Sequence, residues 1–498
     1  MNITFVRVPY DVLFNVGLPA YHLAYASLSA VLKHNCNGVQ VRLIDGDTMP
    51  FKAFQQKPMQ RLLSRFETSR IRSSRSIGVF ESVYQDPDSP VWQELVTKVM
   101  ESKPDVVGIG CYSMFMTGIK ILCDSIKQKK PDTWIVLGGP HATLLPRDTL
   151  EQIPSADVCV IGDGWYALLE LVEGLKGASL DLSRIKGIAY RQNGSVTFSS
   201  PRPLLMNLDE IPFADRFLGD PDDYYYGQWL YTSIGCPWHC GMCAANELGG
   251  GKVRFRSMDN VVAELKYLNS LGVKVFRFCD EALTASKKKV MEFCSGVKDA
   301  GIKDLLFLIN ARVDTLDKEI IDSLRDIGTC ELVLGVESGS PRILEIMDKG
   351  ITREQVIDAF KMLKKSGLMT YASFMIGNPT ETVDDVHATV ALYDEIKPTR
   401  AFLCVATPYP GTPYWRYAEE KGLHYDMSNY YKLHTHLTLG NNLSAMSDAE
   451  LAREYEHFLR KTERRERIYR FRRGLQLLKR HPGKFPRIAL RALLGSKA

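Results

Sequence analysis

Residues 231–243 read Tyr-Thr-Ser-Ile-Gly-Cys-Pro-Trp-His-Cys-Gly-Met-Cys. Cys236, Cys240 and Cys243 thus share one loop at C-x3-C-x2-C spacing. Three thiolates placed this way suit three irons of a [4Fe–4S] cluster and leave the fourth iron without a protein ligand. An iron left open can take the amine and carboxylate of a small molecule, as open catalytic metal sites take substrate. Two other readings stand beside this one. A zinc site would use His239, but His239 adjoins Cys240 and no second cysteine pair lies at zinc-ribbon spacing. Three unrelated core cysteines are the plainest alternative.

The loop opens a repeat. Strand-like runs occur at 230–234, 274–278, 305–309, 331–335, 370–376 and 401–405. Helical patterns lie between them at 258–271, 286–300, 318–327, 341–347 with 353–366, and 383–396. Each strand is followed by a polar or glycine-containing motif: the cysteine loop, Asp280-Glu281, Asn310-Ala-Arg312, Glu337-Ser-Gly339, Gly377-Asn-Pro379 and Pro408-Tyr-Pro-Gly411. Active sites of βα barrels lie at the carboxyl ends of the strands. The repeat predicts a partial, TIM-like (β/α)6 barrel over 228–422.

Upstream, β-rich runs at 3–8, 39–44, 106–111, 133–137 and 158–161 alternate with helical patterns at 20–33, 92–101, 118–129, 148–152 and 166–175. Alternation of this kind predicts a doubly wound parallel sheet over 1–180, with ligands beyond the carboxyl ends of its strands. Those ends carry Gly108-Ile-Gly110-Cys-Tyr-Ser113, Gly138-Gly139-Pro-His141 and Gly162-Asp-Gly164. No G-x-G-x-x-G occurs, which argues against a nicotinamide dinucleotide. A hairpin around Asn193-Gly194 and a Pro-, Asp- and Tyr-rich linker fill 181–227.

The whole chain has 498 residues, 45% of them apolar and 24% charged, which excludes wholesale disorder. Its 11 cysteines are too sparse for a disulfide scaffold. No apolar run reaches the length of a membrane span, and residues 1–14 do not read as a signal peptide. The expected location is the reducing cytoplasm. The net charge of +5 is concentrated at one end: residues 460–498 hold 14 Lys and Arg against two acids. This region, 423–498, is predicted as helical at 447–459 and basic beyond. The basic segment suits packing on the acidic body, or peripheral contact with an anionic membrane. It has no aromatic platform for nucleic acid.

The cysteine loop, the six repeats and the strand-end motifs resemble radical S-adenosylmethionine (SAM) enzymes. With a doubly wound domain in front, the chain resembles the cobalamin-dependent subclass. The resemblance implies three cofactors: a [4Fe–4S] cluster on Cys236, Cys240 and Cys243, SAM and cobalamin. Carried over residue by residue, it implies that the backbone at Met242 contacts adenine. Asp280 and Glu281 stand where the family holds the methionine amino group, although a Gly-Gly-Glu stretch is usual there. Arg312 suits the methionine carboxylate, Glu337 the ribose, and Gly377 the adenine. The alternative for Glu337 and Arg312 is an ion pair with each other, and for Asp280 a helix cap.

For cobalamin the matched positions are Ser113, Gly138, Gly139 and Gly162. The D-x-H-x-x-G signature of many cobalamin domains is absent. Asp385-Val-His387 lies in the wrong domain, and His22 and His141 lie outside the motif. His141 is expected as a polar loop residue.

The function implied is methyl transfer from SAM, through cobalamin, to an unactivated carbon or phosphorus that a 5′-deoxyadenosyl radical has activated. The substrate would be a small molecule or lipid, and the reductant a flavodoxin or ferredoxin. Radical rearrangement or oxidative cyclisation is the alternative within the subclass. A non-catalytic sensor or electron-transfer protein is the alternative outside it. Candidate substrate-pocket residues are Trp238, Tyr409, Trp415, His434 and His436.

Overall fold

The computed structural model describes residues 1–13, 21–52, 69–177, 180–220, 224, 228–281, 283–433 and 441–480. It divides into two compact units. The first comprises Met1–Glu281, Ser295–Lys303 and Thr407–Asn441, and the second Ala282–Cys294, Asp304–Ala406 and Asn442–Ala498.

The first unit begins with β1 (Asn2–Arg7), α1 (Leu23–Asn35), β2 (Gln40–Asp45), α2 (Ser69–Gln85), α3 (Pro90–Glu101) and β3 (Val106–Gly110). It continues with α4 (Met116–Lys129), β4 (Trp134–Gly138), α5 (Pro140–Leu144), α6 (Pro146–Gln152), β5 (Val158–Val160) and α7 (Gly164–Lys176). A hairpin, β6 (Ile188–Gln192) and β7 (Ser195–Phe198), follows. The strand order is β2-β1-β3-β4-β5-β6-β7, with the first five parallel and the hairpin antiparallel. The hairpin therefore extends the sheet instead of bridging two domains: Val158–Val160 pair directly with Ile188–Tyr190.

Strands buried on both faces give unbroken apolar runs, and both faces of this sheet are covered. Val107, Ile109, Ile135 and Leu137 pack with Trp92, Leu95, Ile119 and Leu122 of α3 and α4. Ile3, Phe5, Val136 and Val158 pack with Leu32, Leu168 and Val172 of α1 and α7. Helix α2 was not expected from the sequence.

The chain then runs through β8 (Gln228–Leu230), β9 (Ser233–Ile234), α8 (Ala245–Gly249), β10 (Arg254–Phe255), α9 (Met258–Ser270) and β11 (Val275–Phe278). β8 and β11 pair in parallel, whereas β9 and β10 form a separate two-stranded antiparallel ladder. The strand expected at 230–234 is thus split: it leaves the β8 ladder after Leu230 to build the base of the cysteine loop. Helix α10 (Lys287–Asp299) leads on to the remaining strands.

The second unit holds β12 (Leu306–Ala311), α11 (Lys318–Asp326), β13 (Thr329–Glu337), α12 (Pro341–Ile346), α13 (Arg353–Ser366), β14 (Met369–Ile376), α14 (Val383–Ile396) and β15 (Arg400–Val405). β12 to β15 pair in parallel in sequence order. Side-chain caps begin α11, α13 and α14; Thr352 with Gln355 and Thr382 with Asp385 form capping boxes.

α15 (Pro413–Glu420) belongs to the first unit and α16 (Asp448–Arg480) to the second. The helix expected to end at residue 459 runs on to Arg480, 33 residues in all. Its first part packs on the second unit: Phe458 meets the rings of Phe374 and Tyr393, and Glu466 pairs with Arg400 at 3.4 Å. Among the described residues, no helix is long and apolar enough to cross a membrane.

Candidate active site

A buried carboxylate, Asp280, and a buried glycine, Gly235, fix the entry to the cysteine loop. Asp280, just past β11, is fully buried. Its carboxylate accepts the Thr232 N–H at 3.0 Å, the Thr232 hydroxyl at 2.6 Å, the Ser233 N–H at 2.7 Å and the Ser233 hydroxyl at 2.8 Å. Burial pushes its pKa up, and these donors oppose the shift. Asp280 thereby holds β9 in place. Glu281 is the carboxylate that faces the cavity described below, and it accepts the Gly235 N–H at 3.1 Å. Gly235 has φ near 100°, and a Cβ there would sit 2.0 Å from the Lys252 carbonyl oxygen, so only glycine fits.

Beyond Gly235 the loop carries Cys236, partly exposed, Cys240, buried, and Cys243, exposed; no cysteine of the chain is in a disulfide. The Cys243 N–H donates to the Cys240 carbonyl at 2.9 Å, and the Ala245 N–H points at the Cys243 sulfur at 3.4 Å. Tyr414 backs the loop, its N–H donating to the Gly241 carbonyl at 3.1 Å. Met242 is buried, Trp238 half-buried and His239 exposed. Among the described residues, no three His, Cys, Asp or Glu side chains are grouped around a single metal ion. A cubane binds its cysteines on different irons, and a donor set of soft thiols outside any disulfide fits it.

The same unit contains a cavity of about 610 Å³. One wall is the carboxyl edge of the large sheet, including Gly108, Gly110, Gly138, Gly139 and Gly162. The other includes Tyr231, Ser233, Ile234, Cys279 and Glu281, which frame the entry to the cysteine loop. A Cβ at Gly162 would meet nothing within 4 Å, and at Gly138 nothing nearer than 3.9 Å. Side chains at these two positions would project into open space, so the edge at Gly138 and Gly162 is a shelf that a flat macrocycle can approach closely, and it fits a corrin, whereas a Cβ at Gly108, Gly110 or Gly139 would meet Phe5, Tyr25 or the Cys111 backbone.

Ser113 does not line the cavity; its hydroxyl lies 2.9 Å from His141 Nδ1. His141 is not a loop residue. It sits buried in α5 with its ring edge-on to Tyr430 at 4.8 Å, and burial lowers its pKa to about 3, so it is neutral. His22 does line the cavity, and burial lowers its pKa as well. Arg7, Tyr10, Tyr112 and Trp165 also face it; Tyr112 stands within the strand-end stretch 108–113 and Trp165 directly after Gly164, whereas no motif marks Arg7 or Tyr10.

In the second unit, Arg312 and Glu337 do not pair with each other. Arg312 grips Asp314 with two bonds of 3.0 Å and donates to the Lys349 carbonyl at 2.7 Å. Glu337 accepts from Lys349 Nζ at 2.9 Å and adopts φ near 63°, a left-handed conformation uncommon for a non-glycine residue. Gly377 donates to Glu381 at 2.5 Å, and Glu381 also accepts the Asn378 N–H at 3.1 Å. Burial raises the Glu381 pKa to about 7. Lys349 and Glu381 were missed; the spacing Gly377-Asn-Pro-Thr-Glu381 held the signal for the latter, whereas nothing local marks the former.

Of the candidate pocket residues, Tyr409 lies beside the cavity-lining Tyr10, whose pKa it helps to raise. Trp415 is a core residue of the first unit, its ring tilted against that of Tyr425 at 5.3 Å and its N–H donating to Glu419 at 2.9 Å. It was misread because an aromatic residue after the last strand is equally suited to either role. His434 and His436 lie outside the described residues.

Comparison with known proteins bears on this arrangement. The B12 binding domain matches residues 75–172, and the radical SAM superfamily matches residues 230–393. An uncharacterized methyltransferase of Pyrococcus horikoshii is 33% identical over 356 residues, covering 70% of this chain and 76% of that protein. This chain belongs to the cobalamin-dependent radical SAM family. Membership makes it an enzyme that uses a [4Fe–4S] cluster, SAM and cobalamin. An anaerobic magnesium-protoporphyrin IX monomethyl ester cyclase of Cereibacter sphaeroides is 27% identical over 360 residues, covering 68% of this chain and 57% of that protein. The fold of this radical SAM enzyme is also that of the methyltransferase TsrM from Kitasatospora setae with cobalamin and [4Fe–4S] cluster bound. That comparison has a TM-score of 0.63 at 16% identity and covers 84% of this chain and 75% of TsrM.

Proposed function

We propose that this enzyme transfers a methyl group from SAM to an unactivated carbon or phosphorus centre of a small molecule, with electrons from a separate reductant. The observation that carries the reading is the cavity of the first unit, where the glycine edge of the large sheet and the residues entering the cysteine loop line one space. When bound, the cluster and SAM supply a hydrogen-abstracting radical, and cobalamin supplies the methyl carrier.

The chain's own residues then have distinct tasks. Cys236, Cys240 and Cys243 hold the cluster, with Asp280 and Gly235 fixing the loop that presents them. Gly138, Gly139 and Gly162 receive the corrin edge. In the first unit, Glu281 and the backbone at Met242 would hold SAM. Arg312 keeps its guanidinium plane set by Asp314, and Lys349 neutralises Glu337 so that its carboxylate can stay buried. The rings of Tyr10, Tyr112 and Trp165 give the cavity apolar wall.

Anaerobic incubation with SAM and a strong reductant, with and without hydroxocobalamin, tests this reading. S-adenosylhomocysteine that forms only when cobalamin is loaded supports methyl transfer. 5′-Deoxyadenosine without S-adenosylhomocysteine would move the assignment to the cyclisation or rearrangement chemistry that the similarity to the cyclase brings into view.

A further inference from the structure

One ion pair of the first unit joins its two functional edges. Asp163 follows Gly162 at the carboxyl end of β5, immediately before α7, and lines the cavity. Arg254 stands on β10, opposite Ile234, and Ile234 is followed by Gly235 and Cys236. The two nitrogens Nη1 and Nη2 of Arg254 reach both carboxylate oxygens of Asp163, the second bond at 3.1 Å. Nη1 also donates to the Leu205 carbonyl at 3.1 Å. The Arg254 side chain is 1% exposed and that of Asp163 20%. A single guanidinium thus ties together the glycine shelf, the linker after the hairpin, and the strand that launches the cysteine loop. A two-pronged arginine–carboxylate contact fixes orientation as well as distance, because both groups are planar and two parallel bonds hold the planes together.

Burial of this pair is costly in solvation, so a hydrophobic contact would serve stability equally well. What a hydrophobic contact would not supply is a defined register between the two walls. Radical and methyl chemistry on one substrate demands that register, because a displacement of about 1 Å from productive geometry lowers rates on the order of a hundredfold. We propose that the Asp163–Arg254 pair is a positioning latch that sets the cobalamin-binding edge against the cluster loop. This inference rests on both cofactors being held in the first unit.

The test uses the full chain loaded anaerobically with iron, sulfide and hydroxocobalamin, with wild type beside Asp163→Asn, Arg254→Lys and Arg254→Met. Iron and cobalamin are quantified first. Samples are then poised so that cob(II)alamin and the reduced cluster coexist, and their magnetic coupling is read by electron paramagnetic resonance. Wild type is expected to show one defined coupling. Arg254→Met and Asp163→Asn are expected to retain both cofactors but lose the single coupling to a broad distribution, with Arg254→Lys intermediate. Should Arg254→Met fail to fold, the isosteric Asp163→Asn decides. Variants that keep both cofactors and the wild-type coupling overturn the latch. A wild type that binds no cobalamin overturns the premise instead.

Discussion

Replacing Asp280 with alanine tests how the cysteine loop is held. The side chain is fully buried and accepts from two backbone amides and two hydroxyls. The hydroxyls can rotate to other acceptors, but the Thr232 and Ser233 amides are left unpaired, at about 1–3 kcal/mol each. Relief of the buried charge, seen in the raised pKa of Asp280, offsets part of that cost. A net loss of about 3 kcal/mol is expected, which corresponds to roughly 3–6 °C in the melting temperature of a unit this large. Asparagine keeps one acceptor oxygen and should fall between. The assay is an anaerobic thermal melt of the cluster-free protein, paired with iron retention in the reconstituted protein under a chelator challenge. Asp280→Ala should melt lower and lose iron faster although every cysteine is intact. Wild-type melting and wild-type iron retention in that variant would refute the view that Asp280 anchors the loop.

Gly235→Ala forces a Cβ to 2.0 Å from the Lys252 carbonyl at a positive φ, so reconstitution should yield far less iron than wild type at equal protein recovery. Trp415→Phe removes the bond to Glu419 from a core position; a loss of about 1–2 kcal/mol by denaturant titration, with SAM cleavage rates unchanged, is expected. Glu381 has a folded pKa of about 7, above its unfolded value, so the native state binds this proton more tightly. Its stabilising contribution is complete below the unfolded value and falls by roughly 3 kcal/mol as pH rises through 7. Glu381→Gln should flatten that part of the stability–pH curve between pH 5 and 8, and parallel curves for the two proteins would contradict the assignment.

What was legible in the sequence follows the range of the interactions. The cysteine loop is local, so its spacing shows in a single line of residues, and apolar runs mark the five parallel strands because both sheet faces are covered. Helix α2 was not legible: Ser69–Gln85 begins in a serine- and arginine-rich stretch, and the residues its far end buries, Phe80, Val83 and Tyr84, span little more than one turn. The hairpin's place on the sheet depends on β5 pairing with β6, some 30 residues away, which no turn signal encodes. In the site, the bonds that Asp280 accepts from Thr232 and Ser233 span 48 and 47 residues, so no local spacing announces them. Lys349 with Glu337, and Asp163 with Arg254, are meetings across loops that only the fold creates. Arginine, lysine and glutamate favour helix without an apolar stripe, which explains why α16 runs past the point where its periodicity fades.

The central claim is that one chain holds a [4Fe–4S] cluster on three cysteines and a cobalamin on the glycine shelf. The most direct test is anaerobic reconstitution with iron, sulfide and hydroxocobalamin, desalting, and quantification of both. The wild type should retain about four irons and one cobalamin per chain. The triple change of Cys236, Cys240 and Cys243 to alanine should lose the iron and keep the cobalamin. Iron retained by the triple variant, or wild-type protein that carries iron but no cobalamin, would contradict the account.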